Sequence, residues 1–354
     1  MLVSILTPCR CEGPYIEDFV ANVESQELPP EVEIELLVAE ARSEDDGYQR
    51  LSRLAADRPW LRVLDNPRRT TPAGLNIAIR QARGDVLLRM DVHTTYAPDY
   101  VAECLRALES SGADNVGGPW VARGEGFVAE TIALAFQSKW STGGGRAHDP
   151  GYEGFVDTVY LGCWRREAFA RFGRFDESLI RGQDSELNFR IWLRGGRVWQ
   201  TPRIRSWYQP RRSLVALFRQ YAQWGYWKVA ILRMHRAPAS LRQLAPGLFL
   251  LGLAAGLPAA WVWPVLAAPW LGVVAAYLLA NIAAAVVVCR RAGAWKFLAL
   301  LPAVFAVFHF GFGYGYLRGA VDFLALRRQA SSRFERLTRP TAPVREARGH
   351  VASR

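Results

Sequence analysis

The sequence predicts an α/β domain on a mostly parallel sheet, followed by C-terminal helices that span a membrane. Three observations carry this. Residues 1–210 alternate short apolar runs with stretches at helical spacing, the pattern of repeated βαβ units. From Gln243 to Cys289 there is no Asp, Glu, Lys or Arg across 47 residues, enough for two spans of ~20 residues each. Charge is also divided: residues 1–186 carry 20 Lys and Arg against 30 Asp and Glu, whereas residues 187–321 carry 16 basic residues and no acidic one.

Each element follows from its own residues. Strands are expected at 2–7, 33–39, 61–65, 85–91 and 114–122, and helices at 14–26, 46–57, 72–83 and 98–110. No basic segment precedes Leu2, Val3, Ile5 and Leu6, so they read as a buried strand and not as a cleaved leader. Ligands of such sheets sit at the carboxyl ends of the strands. Polar residues gather at those ends: Arg10 and Glu12, Glu40, Asp65 and Asn66, then Asp91 and His93.

Residues 211–242 follow the domain. They belong to a longer basic stretch, 203–242, with nine basic residues and with Trp207, Tyr208, Tyr221, Trp224, Tyr226 and Trp227, which suits helices lying in the membrane plane. The membrane region is expected at 243–326, with a hairpin turn near Pro258, Pro264 and Pro269. A third apolar segment, Phe297–Leu317, contains Pro302 and the glycines 311, 313 and 315, and is either a full span or re-entrant. Lys and Arg flank the first span and separate the second from the third, which places both flanks, and with them the α/β domain, on the cytoplasmic side of a multi-pass membrane protein. Residues 327–354 read as a basic, disordered tail.

Composition excludes other classes. A chain of 354 residues that is 50% hydrophobic is no disordered protein. The net charge of +11 does not argue for nucleic acid, because the basic residues flank apolar runs and point to anionic lipid headgroups. Five cysteines with no paired C-x-x-C framework fit reduced thiols, and Cys9 and Cys11 stand at the wrong spacing for a redox pair. There is no G-x-x-x-x-G-K-[ST] and no G-x-G-x-x-G after the first strand.

Two short segments carry candidate chemistry. Asp91-Val92-His93 ends an apolar strand, and an oxygen ligand there suits Mg²⁺ or Mn²⁺ with a diphosphate completing the shell. Asp184, in Gly182-Gln183-Asp184-Ser185-Glu186, opens a helix, where a carboxylate either caps the helix or acts as a general base.

The pieces then form a pattern: Ser4-Ile5-Leu6-Thr7-Pro8-x-Arg10; Asp65-Asn66-Pro67 and Thr71-Pro72-Ala73-Gly74-Leu75-Asn76; Ala82-Arg83-Gly84-Asp85; Arg89-Met90-Asp91-x-His93; Gln183-Asp184-x-Glu186-Leu187-Asn188; and Gln220-Tyr221 with Gly225-x-Trp227-Lys228. In order and spacing the chain resembles the family 2 glycosyltransferases of GT-A fold, in particular the membrane-bound, succinoglycan-type glucosyltransferases of bacterial polysaccharide synthesis, over residues 3–330. The resemblance implies a Rossmann-like nucleotide-diphospho-sugar transferase domain. It implies that Thr7, Pro8, Arg10 and Glu40 line the base and ribose, with Glu12 and Asn76 in the substrate-binding set. Asp91 takes the place of the metal-coordinating acid of the D-x-D motif, His93 its third position, Asp184 that of the catalytic base, and Trp224 that of an aromatic beside the acceptor. The sequence departs from the family pattern at Cys11, at Glu40-Ala41 and at Gln223.

The expected activity is inverting transfer of a sugar, glucose by the resemblance, from a UDP-sugar to a polyprenyl-diphosphate-linked acceptor, with Asp184 as base and a divalent cation at Asp91. Two rivals stand beside it: a polyprenyl-phosphate sugar synthase of the same family, and a catalytically dead membrane scaffold.

Overall fold

A computed structural model of the chain describes residues 1–238 and 241–336. The first half runs β1 (Leu2–Cys9), α1 (Ile16–Glu24), β2 (Glu33–Glu40), α2 (Gly47–Ala56), β3 (Leu61–Asp65), α3 (Thr71–Gln81), β4 (Val86–Arg89), β5 (Thr94–Tyr96) and α4 (Tyr100–Ser111). Then come β6 (Asn115–Gly118), β7 (Val121–Ala122), α5 (Phe127–Phe136), α6 (Lys139–Thr142), β8 (Gly154–Phe155), β9 (Tyr160–Arg165), α7 (Arg166–Phe172), α8 (Gln183–Leu193), β10 (Val198–Gln200) and β11 (Ser206–Tyr208). The early elements fall where the sequence periodicity puts them.

Eight strands form one sheet in the order β3-β2-β1-β4-β9-β6-β10-β8. Strands β3, β2, β1 and β4 pair in parallel, as the βαβ pattern requires. The sheet is mixed beyond that point, because β9 lies antiparallel between β4 and β6, and β8 pairs antiparallel at the edge. The expected strand 114–122 divides at Pro119: β6 stays in the main sheet and β7 joins a small sheet, β5-β11-β7. Proline cannot donate to the ladder, and a Cβ on Gly118 would stand 1.9 Å from the Ile204 carbonyl oxygen, so the chain passes this crossing without a side chain.

Alternation along the central strands supplies both faces of the core. Val3, Ile5, Leu36, Val38 and Leu88 pack with Phe19, Leu51 and Val101 of α1, α2 and α4. Leu6, Leu37 and Leu87 face the other way, against Leu75, Phe169 and Ile191 of α3, α7 and α8. The Ala82-Arg83-Gly84-Asp85 motif serves this scaffold: the buried Glu35 carboxylate accepts from Ser4 Oγ at 2.7 Å and from the Arg83 backbone N–H and Nε.

Four long helices follow: α9 (Leu214–His235), α10 (Ala245–Val262), α11 (Ala267–Ala292) and α12 (Leu301–Gly319), the last continuing into a π-helical turn at Ala320–Ala325. The segments Leu241–Val262 and Pro264–Ala292, 22 and 29 residues with mean hydropathy 1.6 and 2.4, are long and apolar enough to cross a membrane. They form a hairpin turning at Pro264–Leu266, and their apolar side chains face outward, with Trp261 86% exposed. A helix that leaves most of its apolar surface uncovered has a non-aqueous solvent to face.

Two expectations change here. The aromatic residues of 203–242 do not lie along a surface: Tyr226 and Trp227 are buried, and α9 is clamped between the α/β domain and α12. Nor do the glycines of the third segment break it. Helix α12 is continuous, Pro302 sits in its first turn where no backbone donor is lost, and the glycines allow close approach. Gly311, Gly315 and Gly319 recur every four residues against Phe218, Ala222 and Tyr226 of α9, a parallel pairing of backbones. The segment 331–336, read as part of the tail, is ordered: Phe334 stacks on Tyr226 at 4.0 Å, and Trp227 Nε1 donates to the Phe334 carbonyl. Residues 337–354 lie outside the described residues.

Because a Cβ on Gly315 would stand 1.8 Å from the Ala222 carbonyl oxygen, Gly315→Ala is expected to destabilise the detergent-solubilised chain by about 1–3 kcal/mol. A thermal melt reads this as a lowered Tm. Gly252→Ala, whose added methyl meets nothing within 4 Å, leaves Tm in place.

Candidate active site

At the carboxyl end of β4 the backbone sets a charged pair. Residues two apart on a strand share a face, and the Arg89 guanidinium grips Asp91 with both arms, Nε to Oδ1 at 2.8 Å and Nη2 to Oδ2 at 2.9 Å. Both residues are buried. The Asp91 backbone N–H donates to the Tyr96 hydroxyl at 2.6 Å, which fixes the loop leaving the strand. Burial alone would pull the Arg89 guanidinium down, but Asp91, and beyond it Asp184, more than reverse this and hold it above its ordinary value.

Asp184 arrives from across the sheet. Gly182 takes the left-handed conformation (φ 77°) at the N-terminus of α8, and the turn presents Asp184 to the same space. Its Oδ1 accepts from the Ser185 backbone N–H at 2.8 Å, and its Oδ2 stands 4.0 Å from Arg89 Nη1. Arg89 therefore touches one carboxylate and faces the other. Glu186 points elsewhere, buried against Arg190 and His235.

Asp91, His93 and Asp184 line one cavity of about 1480 Å³, larger than the roughly 300–1,000 Å³ of a pocket for one small ligand. At one end lie Pro8, Arg10, Asn66 and Arg69, where β1 and β3 finish. Trp120, Trp140 and Trp224 stand along its middle, and Trp224 packs on Trp120 at 5.1 Å. The far end is apolar and lies among the membrane-type helices, with Phe249, Val273, Ala276, Phe308 and Phe312. Lys228 of α9 also lines the wall; burial lowers its ammonium pKa against the raising pull of Asp184 and Asp157. Burial, and then Arg242, pull His148 down to about 4, so it is neutral near pH 7.

His93 and Glu12 offer a test of whether a divalent cation suits the site. His93 Nδ1 and Glu12 Oε1 are 2.6 Å apart, while Glu12 Oε2 is buried with no hydrogen-bond partner. A carboxylate on Nδ1–H orients an imidazole so that its Nε2 lone pair can ligate. Asp91, His93 and the spare Glu12 oxygen are donor types that a hard cation accepts, although both Asp91 oxygens also take hydrogen bonds from Arg89. Among the described residues no three His, Cys, Asp or Glu side chains stand together as a group that could hold a metal ion, so a cation here would depend on a substrate diphosphate for much of its shell.

Of the residues singled out from sequence, Pro8, Arg10, Glu12, Asp91, His93, Asp184 and Trp224 share this cavity. Three do not. Thr7 is fully buried within β1, its hydroxyl without a hydrogen-bond partner. The Glu40 carboxylate turns back on its own loop, accepting from the backbone N–H groups of Arg42 and Ser43 at 2.8 Å each. Asn76 clamps the loop before α8, donating to the Phe175 carbonyl at 2.8 Å and to Glu177, and accepting from the Phe175 N–H. Glu40 and Asn76 fill backbone needs that a sequence motif cannot distinguish from ligand contacts. The departures at Cys11 and Glu40 likewise have structural tasks, Cys11 meeting Ser43 through its backbone N–H and Glu44 through its thiol. They leave the dead-scaffold alternative without its motivation. Arg89, Lys228 and Trp140 were not assigned from sequence. An arginine inside the apolar run Val86-Leu87-Leu88-Arg89-Met90 was the available signal, since a buried charge requires a partner.

Residues 4–171 match the family model described as glycosyl transferase family 2. The succinoglycan biosynthesis protein ExoA of Rhizobium meliloti (strain 1021) is 31% identical over 244 residues, 68% of this chain and 73% of that protein. The chain belongs to glycosyl transferase family 2. It is a glycosyltransferase, similar to the succinoglycan-type members. A second relative, from Methanococcus voltae, is dolichyl N-acetyl-alpha-D-glucosaminyl phosphate 3-beta-D-2,3-diacetamido-2,3-dideoxy-beta-D-glucuronosyltransferase, 25% identical over 240 residues, 65% of this chain and 74% of that one. Among solved structures, the mannosyltransferase PcManGT of Pyrobaculum calidifontis, in complex with GDP-Man and Mn²⁺, superposes with a TM-score of 0.55 at 22% identity, covering 89% of this chain and 86% of that one. This likeness supports the GT-A fold of the catalytic domain.

Asn76 is a scaffold residue on this geometry. Asn76→Ala should lower Tm, because buried Phe175 backbone groups lose their partners at about 1–3 kcal/mol each. Steady-state kinetics well below that Tm should show KM for the sugar donor within about twofold of wild type; a KM rise beyond tenfold would return Asn76 to the binding site.

Proposed function

We propose that this glycosyltransferase moves a hexosyl residue, glucose by its resemblance to the succinoglycan-type enzymes, from a UDP-sugar to a polyprenyl-diphosphate-linked acceptor at the cytoplasmic face of the inner membrane, with inversion at the anomeric carbon. One observation carries the reading: Asp91 and Asp184 line a single cavity whose other end opens among the apolar helices. A water-soluble donor and a lipid-borne acceptor could then meet between them. The relative from Methanococcus voltae supports a lipid-linked acceptor, since its name gives a dolichyl phosphate-linked sugar. The relative bound to GDP-Man supports a nucleotide-sugar donor.

The chemistry follows from these side chains. The Asp184 carboxylate accepts the proton of the acceptor hydroxyl. That oxygen attacks the anomeric carbon from the face opposite the diphosphate. The bond from the anomeric carbon to the diphosphate oxygen breaks, and its electron pair leaves with the nucleoside diphosphate. One displacement inverts the centre, so an α-linked donor gives a β-glycoside. Asp91 and His93 would hold Mg²⁺ or Mn²⁺, which when bound supplies charge neutralisation for the leaving diphosphate. Trp224 offers an aromatic face to the acceptor sugar. Arg89 stands between the two acids, hydrogen-bonded to Asp91 and 4.0 Å from Asp184.

Asp184→Asn is expected to lower kcat by at least 10²-fold, the scale of a general-base contribution, with donor Kd changed less than about threefold. Radiolabelled transfer and donor titration on membranes measure the two separately. Wild-type turnover in this variant would remove Asp184 from its role. A product with the sugar on a lipid monophosphate would replace the acceptor assignment with the polyprenyl-phosphate synthase reading.

A further inference from the structure

The chemistry above leaves a partly buried arginine in the cavity without work. Arg181 lies on the turn entering α8, three residues before Asp184. Its contacts are long: Nε donates to Gln223 Oε1 at 3.3 Å, and Nη1 to the Ile180 carbonyl at 3.5 Å. Other low-exposure arginines have carboxylates, Arg89 through Asp91 and Arg190 through Glu186. No Asp or Glu stands within ion-pairing distance of Arg181 among the described residues. Its electrostatic neighbours are cations: burial first, then Arg211 and Arg10, pull it down to about 10.

An uncompensated charge away from water is costly, and a third guanidinium brought toward two others adds to the cost. Arg10 lines the same cavity and is paired at its far arms with Glu44 at 3.6 Å and the Arg69 carbonyl at 3.2 Å, while its Nε is buried with no acceptor. Such a cluster is built for an anion that arrives with the substrate and carries several oxygens, because guanidinium forks match phosphate geometry.

We propose that Arg181, with Arg10 and Arg211, forms a cradle for a diphosphate, so that protein cations as well as the Asp91 region neutralise it. The proposal rests on the reading that one substrate is a nucleoside-diphosphate sugar and the other a lipid diphosphate, and either could supply the group. If it is the donor's, the cradle receives the negative charge that develops as the glycosidic bond to the diphosphate breaks. If it is the acceptor's, the cradle anchors the lipid headgroup beside Asp184.

The test uses the full chain in nanodiscs, as wild type, Arg181→Gln and Arg181→Lys. Calorimetric titrations with UDP, GDP and farnesyl diphosphate are run with EDTA and again with Mg²⁺. Loss of a charge-assisted pair predicts about 10- to 100-fold weaker binding in Arg181→Gln, persisting in EDTA, with part restored by Arg181→Lys. A loss confined to the nucleotides assigns the cradle to the donor, and one confined to farnesyl diphosphate assigns it to the acceptor. Ligand-free Arg181→Gln is expected to melt at or above the wild-type temperature, since it removes an uncompensated, partly buried charge. A clearly lower Tm would mark Arg181 as structural and overturn the proposal. Equal affinities in wild type and Arg181→Gln for ligands that wild type binds overturn the cradle alone. Wild type binding none of the three overturns the cradle together with the two-substrate reading.

Discussion

A single guanidinium, buried where β4 ends, sets the terms for the catalytic centre. Arg89 could not sit in that apolar run without a counter-charge, and Asp91 supplies it from the same strand face with two hydrogen bonds. Asp184 then enters from α8 at 4.0 Å from the unclaimed arm. The scaffold exists to make this meeting reproducible. β9, wedged antiparallel between β4 and β6, spaces the two halves of the sheet. Asn76 pins the loop that leads to α8, and Gly182 turns the chain sharply enough to aim Asp184 inward. Asn76 and Gly182 each settle a backbone path, and the proposed chemistry depends on both.

The second constraint joins this centre to the apolar helices. The glycine repeat on α12 brings its backbone against α9, and α9 carries Trp224 and Lys228 on the cavity wall. A polar chain adds to the joint: Trp140 Nε1 donates to Asn281 Oδ1 at 2.9 Å, and Asn281 Nδ2 donates to the Pro302 carbonyl at 2.8 Å. His309 lies between the Trp140 carbonyl and the Tyr277 hydroxyl. Polar side chains inside apolar helices are costly unless satisfied, and here they are satisfied by the catalytic domain's own loop. The segment at 331–336 closes the arrangement, with Gln223 Nε2 donating to the Arg336 carbonyl at 2.7 Å while Gln223 Oε1 holds Arg181.

The fold's first half was legible because two periods dominate it. Leu2–Cys9 alternates between two core faces, and the helices at 47–56 and 100–111 carry one buried stripe each. The later strands were not legible: β8, β10 and β11 have only two or three residues, and the six-residue β9 takes its antiparallel place between β4 and β6 through tertiary packing. The aromatic stretch around Tyr226 and Trp227 misled for a definite reason: Arg with Trp and Tyr suits a membrane interface and a helix–helix core equally, and only the glycines of α12 decide between them. Asp91 and Asp184, the pair to which the proposed chemistry is assigned, could be named from strand-end and helix-start positions. Their linkage through Arg89 could not, because it requires knowing that α8 returns over β4. Glu40 and Asn76 show the converse error, polar residues in the right motif whose hydrogen bonds go to backbone.

An experimental structure of the full chain with a non-hydrolysable nucleotide sugar and Mn²⁺ tests the arrangement most directly. The account predicts that the sugar lies between the two acids, its diphosphate toward Asp91 and the face opposite the leaving group open to Asp184 at hydrogen-bond reach of an incoming hydroxyl, roughly 2.6–3.2 Å. A donor bound with its anomeric carbon turned away from Asp184, or seated outside the cavity that holds Arg89, would contradict it.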